Sequence, residues 1–187
     1  MLSIAKVGDI DYYTRLPDET VGYYKPDQER VAHWFGSGAT ALGLPTILET
    51  EGFRRALLGF HPVDNSPLVQ NAGQPDRRMG FDLTFSAVKS VSVLWALSDA
   101  ATRQVIERIL FEAVKTTLAY FERNYAKTRR GKGGQDIQDA GIACAIFLHK
   151  SSRSNEPSLH HHAVLVNVGV RKGQDGTTGT LLTTQLY

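Results

Sequence analysis

A chain of 187 residues, 42% hydrophobic and 21% charged, has the composition of a soluble globular domain and the length to bury one core. Its formal charge of +2 is too small to announce a nucleic-acid binder, so any such function must rest on where the basic residues fall. No apolar run is long enough to span a bilayer and MLSIAKVGDI lacks the pattern of a secretory signal, so a cytoplasmic location is expected; the single Cys144 excludes an internal disulfide and thiolate metal clusters.

Residues 2–7 alternate weakly and read as a short first strand. Two tyrosine pairs follow, Tyr12-Tyr13 and Tyr23-Tyr24, each set among Asp, Arg, Pro, Glu and Lys rather than within apolar periodicity. They read as exposed or cleft-facing, suited to catalysis, to stacking against a partner or to loop packing. Residues 26–34 read as a helix with Asp27 near its start and Gly36-Ser37-Gly38 ending it. A helical turn is expected over 39–44 and a helix over Thr50–Leu58 with Phe53, Ala56 and Leu57 on one face. Residues 59–80 hold Pro62, Pro67, Gly73 and Pro75 without a sustained period and predict a long loop.

FDLTFS, residues 81–86, is the cleanest alternation in the chain: Phe81, Leu83 and Phe85 face one way, and Asp82, Thr84 and Ser86 the other. It predicts a half-buried strand on whose polar face Asp82 either meets solvent or supports a neighbour. An apolar helix is expected over 90–97. Ser98-Asp99 then offers a cap for the longest helix, Ala100–Tyr125, with an apolar stripe of Ile106, Ile109, Leu110, Ala113 and Phe121. The basic segment 123–132, containing Tyr125, Arg129, Arg130 and Lys132, is either a solvated hairpin tip or a contact for phosphates.

Residues 142–148 and 163–168 are apolar and rich in β-branched side chains, so each reads as a strand buried on both faces, with the connection Ser-Arg-Ser-Asn-Glu-Pro between them. Alternation sends His160 and His162 to one face and His161 to the other, and a simple hairpin register lets His149 join the first two. Three neutral imidazoles on one rigid face make a metal site with open positions, as a catalytic metal requires. Residues 171–179 read as a glycine-rich turn, and 180–187 as another strand or its start.

Taken together, Tyr12-Tyr13, Tyr23-Tyr24, ATALGL after Trp34, FDLTFSAVKSVS, and His149 followed by His160-His161-His162 resemble the relaxase domain of conjugative plasmids, the MobF class of the HUH endonucleases. The resemblance implies an α+β fold, a central antiparallel β-sheet with flanking helices, spanning residues 1–187 of a domain expected to continue beyond them. It implies a metal-dependent, strand-specific nickase of single-stranded DNA. Tyr12 would be the nucleophile, with Tyr13, Tyr23 and Tyr24 as further candidates, His149, His160 and His162 the metal ligands, and Asp82 their support. Mg²⁺ or Mn²⁺ is the expected ion, with Zn²⁺, Ni²⁺ or Co²⁺ also compatible with imidazole ligands. Lys89 and Arg153 join Arg129, Arg130 and Lys132 as expected DNA contacts. The implied partners are hairpin DNA at a transfer origin together with accessory relaxosome and secretion-coupling proteins. Two other classes fit the same residues: a three-histidine hydrolase using a metal-bound water, and a non-catalytic module that stacks tyrosines on single-stranded DNA.

Overall fold

The computed structural model describes residues 1–14, 32–130, 135–152, 154–172 and 177–182. Its strands, β1 (Leu2–Lys6), β2 (His33–Phe35), β3 (Gly80–Ser86), β4 (Lys127–Arg130), β5 (Asp136–Ser151), β6 (Pro157–Arg171) and β7 (Thr178–Gly179), form one sheet. All its pairings are antiparallel, in the order β1-β3-β6-β5-β2, with β4 added to β5 and β7 to β6. The described helices are α1 (Asp11–Thr14), α2 (Ser37–Ala41), α3 (Thr50–Leu58), α4 (Lys89–Leu97) and α5 (Ala100–Tyr125). This is the α+β architecture expected from the sequence.

β6 lies between β3 and β5, and residues 163–168 are buried on both faces because a core layer packs on each. Its even-numbered Val164, Val166 and Val168 join Ala143, Ala145 and Phe147 of β5 in a core closed by Tyr13, Trp34, Ala39, Phe53 and Leu57. The odd-numbered Ala163 and Leu165 join Phe81, Leu83, Ile142, Cys144 and Ile146 beneath Val114 and Leu118 of α5. Each large side chain in these two layers contributes about 1.5–3 kcal/mol through removal from water. β1 pairs only with β3 and its residues are all exposed, hence its weak alternation.

α3 matches its expected bounds, with a left-handed Gly59 (φ 91°) accepting the chain reversal at its end. Asp99 accepts from the Thr102 amide at the start of α5, as the cap signal predicts. Elsewhere the structure corrects the sequence reading. Trp34 belongs to β2, not to a helix, because residues 33–35 pair with Ile146, Ala145 and Cys144 of β5; residues 26–31 lie outside the described residues. Gly36-Ser37-Gly38 opens α2 rather than ending a helix. Gly36 sits at φ 107°, and α2 packs so closely on β5 that a Cβ on Gly141 would fall 2.6 Å from the Gly38 nitrogen. The buried face of α5 runs through Val114 and Leu118, with Ile109 and Ala113 exposed. The histidine strands extend well beyond 142–148 and 163–168. After β7, Leu181 makes an isolated bridge to Thr128, and residues 183–187 lie outside the described residues.

A three-histidine centre beside a tyrosine pair

β5 and β6 place His149 opposite His160 and Phe147 opposite His162, while β3 places Thr84 opposite His162. With residues alternating across each strand, His149, His160 and His162 converge on the face that carries Phe147, at one end of the sheet. One ligand atom from each lies within 4.8 Å of the others, and the ring centroids are 4.6–5.3 Å apart. His161 points to the opposite face, its ring 6.0 Å from that of Phe111 on α5, and burial lowers its pKa to about 4. It is held neutral and away from the other three.

The tautomers follow from the acceptors. His160 Nδ1 lies 2.9 Å from the Ser158 carbonyl, which can only accept, so Nδ1 carries the proton. His162 Nδ1 lies 2.7 Å from Asp82 Oδ2 in the same relation. Both rings thereby leave Nε2 as a lone-pair donor. Burial also pushes the His160 pKa down, favouring the neutral form that coordinates metals. His162 Nε2 is buried and has no hydrogen-bond partner among the described residues. Such an atom costs on the order of 1–3 kcal/mol unless something binds it. A divalent cation satisfies it, and the neutral nitrogen donors suit one.

Asp82 is buried, 7% exposed, so its face of β3 is not a solvent face. Its carboxylate also accepts from the Tyr13 hydroxyl at 3.2 Å, and Thr84 Oγ1 stands 3.3 Å from His162 Nδ1. The two tyrosines of α1 differ. Tyr13 is 5% exposed, and burial first, then the Asp82 charge, pushes its phenol pKa well above the ordinary tyrosine value. Tyr12 is 39% exposed, its ring centroid 5.6 Å from His162 and 6.3 Å from His149.

The expected DNA contacts are dispersed. Lys89, at the start of α4, bonds Glu156 at 2.8 Å and the Pro157 carbonyl at 3.2 Å, which ties it to the β5–β6 connection. Arg129 is exposed on β4, and Arg130 is the last described residue of that strand. β4 pairs with Asp136–Asp139, at the end of β5 remote from His149, roughly 33–43 Å away at about 3.3 Å per residue. Tyr23, Tyr24, Lys132 and Arg153 lie outside the described residues. Sequence reasoning passed over Thr84, the Ser158 carbonyl and Glu122. Glu122 accepts from the Ser37 amide at 3.0 Å and the Ile142 amide at 3.4 Å, and so joins α5 to α2 and β5. Thr84 could have been found, two residues after Asp82 on the same strand face.

Comparison with known proteins agrees with this arrangement. The model of the TrwC relaxase family matches residues 8–187. The multifunctional conjugation protein TraI of Escherichia coli (strain K12) is 34% identical over 146 residues, covering 75% of this chain and 8% of TraI. Among solved structures, the conjugative relaxase TrwC in complex with OriT DNA superposes with a TM-score of 0.75 at 31% identity in its metal-free form and 0.76 at 31% in its metal-bound form. A copper-bound form gives 0.74 at 32%. The chain is covered in full by each, and spans 62–63% of the TrwC chains. The described residues contain no helix long and apolar enough to cross a membrane. With a match along 8–187, and with a fold and histidine cluster of this kind, the chain belongs to the TrwC relaxase family of MobF-class conjugative relaxases.

Proposed function

We propose that residues 1–187 form part of a relaxase domain that nicks one DNA strand at a plasmid transfer origin and holds the cut end as a 5′-phosphotyrosine on Tyr12. The observation that carries the reading is an exposed phenol, Tyr12, with its ring 5.6 Å from a histidine of a three-histidine cluster. Bound by His149, His160 and His162, a divalent ion, Mg²⁺ or Mn²⁺ by this reading, supplies positive charge to the non-bridging oxygens of the scissile phosphate. The rest of the chemistry belongs to the chain. The Tyr12 oxygen, losing its proton, forms a bond to phosphorus; the bond to the 3′ oxygen breaks, and that oxygen leaves as a hydroxyl by taking up a proton. The ester retains the bond energy, so the reverse attack by a 3′ hydroxyl rejoins a strand.

Tyr13 is not equivalent, because its phenol is enclosed and given to Asp82. Asp82 holds the His162 ring in the tautomer a metal requires. The substrate is hairpin-containing single-stranded DNA of the kind that the solved TrwC structures carry, a 27-mer with recognition hairpin and cleavage site among them. Accessory relaxosome and secretion-coupling proteins are the partners of the whole protein in this reading, and its location is cytoplasmic. The test is intact-protein mass spectrometry after incubation with a transfer-origin oligonucleotide and Mg²⁺ or Mn²⁺. A mass increase equal to the 5′-phosphorylated fragment less one water, mapped to Tyr12, is expected; cleavage without any adduct replaces the tyrosine by water as nucleophile and overturns the reading.

A further inference from the structure

We propose that Tyr13 is a positioning residue: through Asp82 it orients His162 toward the metal, and by the same hydrogen bond it pegs α1 so that Tyr12 is presented at the site. The proposal rests on the metal-ligand and Asp82 roles given above. Asp82 Oδ2 receives both the Tyr13 hydroxyl at 3.2 Å and His162 Nδ1 at 2.7 Å. Thr84 Oγ1 stands 3.4 Å from the other carboxylate oxygen, at the limit of a hydrogen bond. The Tyr13 donor is therefore what holds the carboxylate in the plane that His162 needs.

The same contact fixes a helix that cannot fix itself. The four described residues of α1 carry too few hydrogen bonds of their own to offset the cost of helix nucleation. Tyr13 attaches it to the sheet twice: its hydroxyl donates to Asp82, and its ring enters an aromatic box with centroids 6.2 Å from Phe53, 5.9 Å from Phe147 and 5.7 Å from His162. Successive helical residues are turned about 100° apart, so the inward Tyr13 leaves Tyr12 on the open side, its ring edge-on to Tyr13 at 5.2 Å. One hydroxyl thus couples the nucleophile's helix to the metal-bearing strand.

The test is Tyr13→Phe, which keeps the ring and removes the donor. Mn²⁺ affinity by calorimetry, the His162 Nδ1–H proton resonance and Tm are measured beside Asp82→Asn and the double variant. Mn²⁺ affinity is expected to fall about three- to tenfold in Tyr13→Phe, less than the roughly 10- to 100-fold expected for Asp82→Asn. The His162 resonance moves, and the double variant binds no more weakly than Asp82→Asn alone. If Asp82→Asn weakens binding while Tyr13→Phe changes neither affinity nor resonance, the positioning role is wrong and the metal reading stands. If His149→Ala, His160→Ala and His162→Ala all bind Mn²⁺ like the parent, the metal reading fails first and takes this proposal with it. A drop in Tm that is equal with Asp or Asn at position 82, with metal affinity intact, assigns the hydroxyl to folding alone and also overturns the proposal.

Discussion

At the scale of residues, the histidine set was readable because strand alternation is a strict period of two, and a hairpin register that pairs His149 with His160 needs nothing from elsewhere in the chain. Substituting His160 or His162 by Ala should abolish stoichiometric metal uptake, whereas His161→Ala, on the α5 face, should retain it; metal quantification after dialysis distinguishes the two. Retention by His160→Ala with loss by His161→Ala would reverse the register. Asp82 was less legible, since alternation says that a side chain leaves the apolar face and not what it meets there. Only the β3–β6 pairing shows that it meets His162 in a buried setting. Asp82→Asn preserves shape and removes the charge, and metal affinity should drop about 10- to 100-fold with Tm nearly unchanged. Tyr12→Phe should eliminate the covalent DNA adduct on denaturing gels while metal affinity holds. An adduct that persists in Tyr12→Phe would move the nucleophile to another tyrosine.

At the scale of elements, α3 was predicted to the residue because its signals are local: an amphipathic period and a glycine beyond its last turn, which φ 91° at Gly59 demands. β2 failed for the opposite reason. Three residues, His33–Phe35, are held extended by pairing with β5, a contact more than a hundred positions away in sequence, and no local pattern reports it. Gly36-Ser37-Gly38 was read backwards because glycine marks either end of a helix, and here its function is close approach. Gly38 and Gly141 meet without side chains, and Glu122 of α5 reaches in to cap Ser37 and Ile142. Gly141→Ala should therefore cost about 1–3 kcal/mol, the range for forcing extra volume into a packed contact. Denaturant titration checks it: a midpoint equal to the parent's would mean that α2 can withdraw from β5 without loss.

At the scale of the whole molecule, the long β5–β6 ribbon separates two chemistries that the sequence places about 20 residues apart. The three histidines occupy one end of it, and Arg129 and Arg130 of β4 pair at the other, about 40 Å away at about 3.3 Å per strand residue. Along the backbone the basic segment leads into β5, but in space it cannot touch the phosphate held at the histidines. At about 3.4 Å per nucleotide step, a duplex stem of roughly twelve base pairs spans that distance, so a hairpin substrate can reach both ends of the ribbon and an oligonucleotide of a few nucleotides cannot. Within the segment Lys127 is paired with Asp139, Thr128 is buried and Arg129 is exposed. Replacing Arg129, Arg130 and Lys132 together by Gln should lower affinity for hairpin DNA at every sequence. It should also make the slope of log K against log[salt] shallower by about 0.9 for each duplex phosphate that is no longer neutralised, up to about 2.7 if each of the three side chains neutralises one. Cleavage of a short single-stranded oligonucleotide that carries only the nick site should be unaffected, since that substrate never reaches β4. An unchanged salt slope on the hairpin would make this end of the ribbon a solvated tip, and an equal loss on both substrates would mean that the basic segment acts on the histidine centre through the sheet and not through DNA.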